Sequence, residues 1–250
     1  MNRIVKFFLT LLFFTLANVS PALAFQLIPM SQVLAPVGNS STKSYEVANN
    51  SDERVAVEVS IVKRHMDIDG QESYEPAEED FLIYPSQMIL EPQSVQTVRV
   101  TWLGDPSPSQ ELAYRLVAEQ LPISLFSPEE VTARPSGSVQ VLLRYLGSLY
   151  IRPDTTTVDV QIASVEAIES ERESQLAITV INHGTAYARL QDVQIGLTAQ
   201  GVTLPLNAEQ LQAINDQVVL AGSQRRFIIP RPSNLPSGPV TATLQYRHDR

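Results

Sequence analysis

The chain has no cysteine, a single tryptophan, three histidines and few glycines, and its 18 basic residues are outnumbered by 27 acidic ones. Without cysteine there is no disulfide framework, so the fold must rest on a packed core alone. The formal charge of -9 disfavours nucleic acid and anionic membrane surfaces as partners, because both demand basic footprints. His65, His183 and His248 lie far apart and form no HExxH or other close metal-ligand spacing. The chain also lacks a Gly-rich phosphate loop and a nucleophile elbow, and pairs none of its serines with a base. The expectation is a protein that is not an enzyme and carries no cofactor or metal.

Long apolar runs are also scarce. The one that exists lies at residues 7–17, behind the basic Arg3 and Lys6 and ahead of Pro21-Ala22-Leu23-Ala24, whose small residues fit an A-x-A cleavage site. Residues 1–24 therefore read as a secretory signal peptide removed before Phe25. An uncleaved anchor fits less well, since Asn18, Ser20 and Pro21 interrupt the run and it falls short of the roughly 20 apolar residues a spanning helix needs. Removing Arg3 and Lys6 leaves 16 basic against 27 acidic residues, a charge of -11. No other stretch suits membrane insertion, so the mature chain is expected to be an exported, soluble protein.

What is present is strand after strand. Val55, Val57, Val59 and Ile61 alternate with other residues, as do Val98, Val100 and Trp102, and then Leu112, Tyr114, Leu116 and Ala118. Turn-forming residues bound each run, and the pattern indicates an all-β fold of sandwich type. Asp67-Ile68-Asp69-Gly70 resembles half of a calcium loop but lacks the third acidic ligand and closing Glu, so it reads as a hairpin turn. The acidic residues 72–80 read as a solvated loop. After Pro153-Asp154-Thr155-Thr156, which reads as a short hinge, the period-2 pattern restarts at Val158, Val160, Ile162, then Leu176, Ile178, Val180, then Val193, Ile195, Leu197. Two sandwich domains are expected, residues 25–152 and 153–250.

The most informative segment is VQVLLRYLGSLYIRP, residues 139–153. Val139, Val141, Leu143 and Tyr145 fall on one side of a strand. A buried core strand explains that row, and so does an edge strand that lends it to a second protein.

Four segments then resemble the periplasmic pilus chaperones of the PapD/FimC type. FLIYPSQMILEPQSVQTVRVTWLGDPSPSQELAYRLVAEQLP is similar to a central block of that family, and LLRYLGSLYIRP to its G1 strand. LAITVINHGTAYARL and VLAGSQRRFIIP resemble pieces of its second domain. The resemblance implies a boomerang of two immunoglobulin-like β-sandwich domains in the periplasm. It implies pilus (fimbrial) subunits as partners, whose incomplete fold the G1 strand fills by donor strand complementation, and delivery to an outer-membrane usher. In this sequence the donor row falls on Val139, Val141, Leu143 and Tyr145, and an interdomain salt-bridge network falls on Glu111, Arg152 and Asp249.

Two departures accompany the resemblance. The family holds the subunit's C-terminal carboxylate with a basic pair, but here the two positions fall near Ser31 or Gln32 and on Ser148, and no Lys or Arg occurs in residues 25–42. Arg144 is the candidate substitute. The family also continues into one more strand beyond the segment matching residues 246–249, so either the second domain is one strand short or another segment takes that place. Ile123, Leu125 and Phe126 begin a loop that either extends the binding surface or folds back on its own domain. An apolar edge invites self-capping, through that loop or as a dimer. The rival reading is an exported structural or adhesive β-sandwich module with no client, in which the 139–145 row is buried in its own domain.

Overall fold

Alternation becomes burial along β4 (Val55–Met66), where Val55, Val57, Val59 and Ile61 are each no more than 4% exposed. The computed structural model describes residues 25–123, 141–169 and 174–247. The expected signal peptide, and Leu125 and Phe126 of the expected loop, lie outside them. Ahead of β4 come β1 (Gln26–Ile28), β2 (Ser31–Leu34) and β3 (Thr42–Asn49). After it come β5 (Glu72–Pro76), β6 (Phe81–Tyr84), β7 (Gln87–Leu90), β8 (Ser94–Trp102), β9 (Leu112–Gln120) and β10 (Arg144–Ile151).

These strands form two sheets, one in the order β1-β3-β8-β6 and the other in the order β2-β10-β9-β4-β5, with β7 also on β4. The first strand region therefore divides, β1 joining one sheet and β2 the other. Between the sheets lie Tyr45, Val98, Val100, Leu116, Leu149 and Ile151, all fully buried. Phe81, Trp102 and Tyr114 pack against one another at 4.9–5.7 Å between ring centroids. Each buried large side chain contributes about 1.5–3 kcal/mol gross.

The second half contains β11 (Val160–Glu169), β12 (Ser174–Asn182), β13 (Ala188–Arg189), β14 (Gln191–Ala199) and β15 (Val202–Pro205). A one-turn helix α1 (Ala208–Leu211) follows, then β16 (Val218–Val219), β17 (Gln224–Pro230) and β18 (Thr241–Arg247). The helix begins with a capping box, in which Asn207 Oδ1 accepts from Gln210 N and the Gln210 side chain accepts from Asn207 N. Here β12 stands between β11 and β17, and β14 between β15 and β18. Leu176, Ile178, Val180, Leu190 and Leu197 fill a second core that shares no residue with the first. Among the described residues β18 pairs with β14 alone.

One buried asparagine organises the end of a strand in each half. Asn49 at the end of β3 donates to the carbonyls of Glu53, Leu90 and Glu91. Asn182 at the end of β12 donates to those of Ala186, Val219 and Leu220. Side-chain amides do this because they satisfy turn carbonyls that no strand partner reaches.

The acidic stretch 72–80 departs from its sequence reading. It holds strand β5, paired with the outer end of β4, and a 3-10 turn at Glu78–Asp80. Its charges and Pro76 suit an edge strand, and ion pairing of Glu72 takes that residue out of solvent.

Candidate functional site

Strand β10 runs antiparallel to β9 along its whole length, with Arg144 opposite Glu119 and Ile151 opposite Leu112. On its other flank β2 pairs in parallel only with residues 148–151, starting at Ser148 opposite Ser31. Among the described residues, 144–147 thus pair with a strand on one side and with none on the other. Backbone groups alternate sides along a strand, and Ser148 and Arg152 donate to Met30 and Leu34 on the β2 side. The amides of Arg144 and Leu146 therefore point to the open flank.

The side-chain row on this strand changes character along its length. Ile151 and Leu149 are fully buried in the first core, and Gly147 is buried beside Leu27. Tyr145 is half-buried, its ring edge-on to Phe25 at 5.0 Å and its hydroxyl donating to the Phe25 carbonyl at 2.7 Å. Leu143 packs on the margin of the core. Val141 is 70% exposed, and Val139 lies outside the described residues. The row is core within β10, and its phase continues into Leu143 and the exposed Val141, which precede the strand's first residue, Arg144.

The outward face of the same sheet turns towards the second half of the chain. Arg115 on β9 stands opposite Ser148, and its Nη1 donates to the serine Oγ at 2.6 Å. Its Nε and Nη2 form a fork on Glu72, at 3.0 and 2.6 Å. Arg64 adds Nη2 to the same carboxylate at 2.6 Å and Nη1 to the Tyr150 hydroxyl at 3.2 Å. Burial pushes the Glu72 carboxyl up, but hydrogen bonds from Arg115 and Tyr74 and the charges of Arg64 and Arg115 outweigh it, so the carboxyl ionises below its usual range.

Of the residues that sequence analysis associates with a carboxylate anchor, Ser31 and Ser148 are cross-strand partners. Gln32 donates to the Ser44 carbonyl at 2.7 Å. Arg144 lies at the outer end of β10 with Glu119, at 3.4 Å and half exposed. The cation against Ser148 is Arg115, which sequence reasoning passed over. Arg115 falls on the opposite phase of the Leu112, Tyr114, Leu116, Ala118 alternation, between Ala113 and Val117.

Among the described residues two fastenings join the halves. At the first, Glu111 is 5% exposed and holds Arg152 Nε in a short ion pair, while its Oε1 accepts from Tyr187 N at 2.9 Å. Glu111 N donates to the Thr185 carbonyl at 2.8 Å. Tyr150 stacks on Tyr187 at 4.3 Å, and the Arg152 guanidinium lies 5.1 Å from the Tyr187 ring centre. Burial raises the Glu111 carboxyl more than the Tyr187 amide and Arg152 lower it. Asp249, the third member expected from the sequence, lies outside the described residues.

The second fastening is the 67–71 turn between β4 and β5. Arg226 forks onto Asp69 at 2.7 and 2.6 Å, and its backbone N–H donates to the Ile68 carbonyl at 2.6 Å. Arg225, 8% exposed, reaches Met66 Sδ at 3.0 Å. Asp67 Oδ1 accepts the amides of Asp69 and Gln71, so both aspartates are engaged, one in the turn and the other in an ion pair.

Two β-sandwiches fastened at two points, the first with a strand open on one flank, define a two-domain immunoglobulin-like architecture. Residues 31–157 match the family described as pili and flagellar-assembly chaperone, PapD N-terminal domain, and the chain belongs to that family. Among solved structures it is similar to a chaperone–tip adhesion subunit complex, CsuC–CsuE, from archaic chaperone-usher Csu pili of Acinetobacter baumannii. Identity is 15%, the match covers 84% of this chain and 89% of that one, and the TM-score is 0.56. The class 5 fimbriae chaperone CfaA is 13% identical over 89% of this chain and 99% of its own, with a TM-score of 0.54. The YadV chaperone is 11% identical over 88% and 90%, at 0.52. No curated protein matches the chain. Among the described residues no helix is long and apolar enough to cross a membrane.

Proposed function

We propose that this protein is a periplasmic chaperone that binds pilus subunits with an incomplete sandwich fold, completes them with β10, and passes them to an outer-membrane usher. The observation that carries the reading is the apolar row that runs from β10 into the residues just ahead of it. It is anchored in the protein's own core at Leu149 and Ile151 and emerges as exposed Val141 beside an unpaired strand edge. Such an edge binds by β-augmentation, in which main-chain hydrogen bonds join the strands and alternate side chains enter the partner's pockets. Val139, Val141 and Leu143 are the side chains offered, and Tyr145 secures the strand to Phe25 at the boundary.

In this reading the subunit's terminal carboxylate is received in the cleft beside Ser148, where Arg115 supplies the cation. The family carries its lysine at the position of Ser148, and here the charge comes instead from the neighbouring strand β9. Glu111, Arg152 and Tyr187 hold the two domains at the angle that forms the cleft.

The test is coexpression in the periplasm with small exported proteins encoded beside it. One of them survives proteolysis only when the chaperone is present, and Val141→Glu abolishes the rescue while the free chaperone stays folded. Rescue that persists in both Val141→Glu and Leu143→Glu refutes the donor-strand assignment.

A further inference from the structure

The cleft beside Ser148 already contains a carboxylate. Glu72 takes four contacts from three side chains there: two from the fork of Arg115, one from Arg64 Nη2 and one from the Tyr74 hydroxyl at 2.7 Å. Its side chain is 18% exposed and that of Arg115 16%, so both reach solvent. Arg64 closes the back at 4% exposure, and its Nε has no hydrogen-bond partner. Two guanidinium groups thus face one internal carboxylate, and an arriving anion meets a pocket built for its chemistry but filled from within.

We infer that Glu72 is a built-in occupant of this pocket, a self-blocking contact that a partner's carboxylate must displace from Arg115. The inference rests on the proposed role of Arg115 as carboxylate receiver and adds its regulation.

The way Glu72 is delivered supports the assignment. It is the first residue of β5, immediately after the 67–71 turn. That turn is clamped to the second domain by the Asp69–Arg226 fork and by the Arg226 N–H on Ile68. Gly70 has φ of +83°, and a Cβ there would fall on the Arg225 guanidinium. The hairpin is therefore seated by a close backbone approach that only glycine allows. Because the clamp is an exposed ion pair, it is weak enough to open. Releasing it leaves Glu72 held only by its pairing with Met66 on β4 and by its contacts with Arg115, Arg64 and Tyr74, so the second domain helps to keep the pocket blocked.

The experiment follows the Arg115 and Arg64 side-chain Nε–H signals by NMR during titration. The probe is an acetylated dipeptide with a free C-terminal carboxylate, and the comparison is the same dipeptide as its amide. Glu72→Gln should tighten binding of the acid by about tenfold, the equivalent of one charge-assisted hydrogen bond, and leave the amide unchanged. Asp69→Asn, which alters no pocket atom, should tighten acid binding by about threefold through the loosened clamp. Arg115→Gln should erase the difference between acid and amide. An acid affinity in Glu72→Gln within about twofold of the wild type, or acid and amide bound alike, overturns the inference. If Glu72→Gln does not fold, Asp69→Asn alone decides, and an unchanged acid affinity there overturns it. Failure here leaves subunit rescue and its loss in Val141→Glu standing, whereas loss of the chaperone reading itself shows as absence of rescue by the wild-type protein.

Discussion

Arg115 and Ser148 are cross-strand partners on β9 and β10, and the guanidinium Nη1 donates to the serine Oγ at 2.6 Å. A cation on one strand and a hydroxyl on the next meet at Ser148, a position on which one half of the family's basic pair falls in this sequence. Replacing Arg115 with Gln leaves Glu72 with Arg64 as its remaining guanidinium partner. We expect a loss of about 1–3 kcal/mol in urea unfolding, the usual cost of removing a hydrogen bond to a charged group. Ser148→Ala should lose about 1 kcal/mol or less, because the arginine keeps its fork on Glu72.

Acid should loosen the same cluster. The folded-state ionisation of Glu72 lies below its usual value of 4.5, so the unfolded chain takes up a proton there more readily than the folded one. Its contribution to stability is complete above that usual value and is lost as pH falls through the lowered folded one. Thermal unfolding as a function of pH should therefore show a steeper acid limb for the wild type than for Glu72→Gln. Parallel limbs would count against the paired carboxylate.

Removing Arg152 should be more damaging than neutralising Glu111. In Arg152→Ala the buried Glu111 carboxylate loses its ion pair, and breaking a buried pair in this way costs about 3–5 kcal/mol. In Glu111→Gln a side-chain oxygen can still accept from Tyr187 N. Calorimetry should show the two domains melting separately in Arg152→Ala, and a nearly native profile for Glu111→Gln.

Gly70 and Gly38 offer a matched pair. Both have positive φ, +83° and +78°, but a Cβ at Gly38 meets nothing within 4 Å while one at Gly70 meets the Arg225 guanidinium. Gly38→Ala should cost about 1 kcal/mol from backbone strain alone. Gly70→Ala should cost more, by the displacement of Arg225 from the hairpin. Equal melting points for the two variants would mean that the Arg225 contact contributes nothing.

Much of this architecture was legible because strand periodicity survives in every run that packs a core. Val55 to Ile61, Val98 to Trp102 and Leu176 to Val180 alternate in sequence and are buried in the fold. The pairing of Glu111 with Arg152 was also expected, through resemblance to a family whose domains join there. The cleft was harder. Arg64, Glu72 and Arg115 come from three strands separated by up to 51 positions, and a charged residue between Ala113 and Val117 gives no sign of its cross-sheet neighbours. The charges of the 72–80 segment mask its edge strand, because edge strands carry charge for protective reasons unrelated to flexibility. The reach of the 67–71 turn into the second domain had no local signal at all, since it depends on where Arg225 and Arg226 arrive from the far end of the chain.

Whether the unpaired flank of β10 receives a partner's strand is measured most directly by backbone hydrogen exchange. In the free protein the amides of Arg144 and Leu146 should exchange quickly, while Ser148, already bonded to Met30, should be protected. On forming a complex with a rescued subunit, Arg144 and Leu146 should become protected and Ser148 should not change. A tight complex in which both amides still exchange at the free rate would contradict the account.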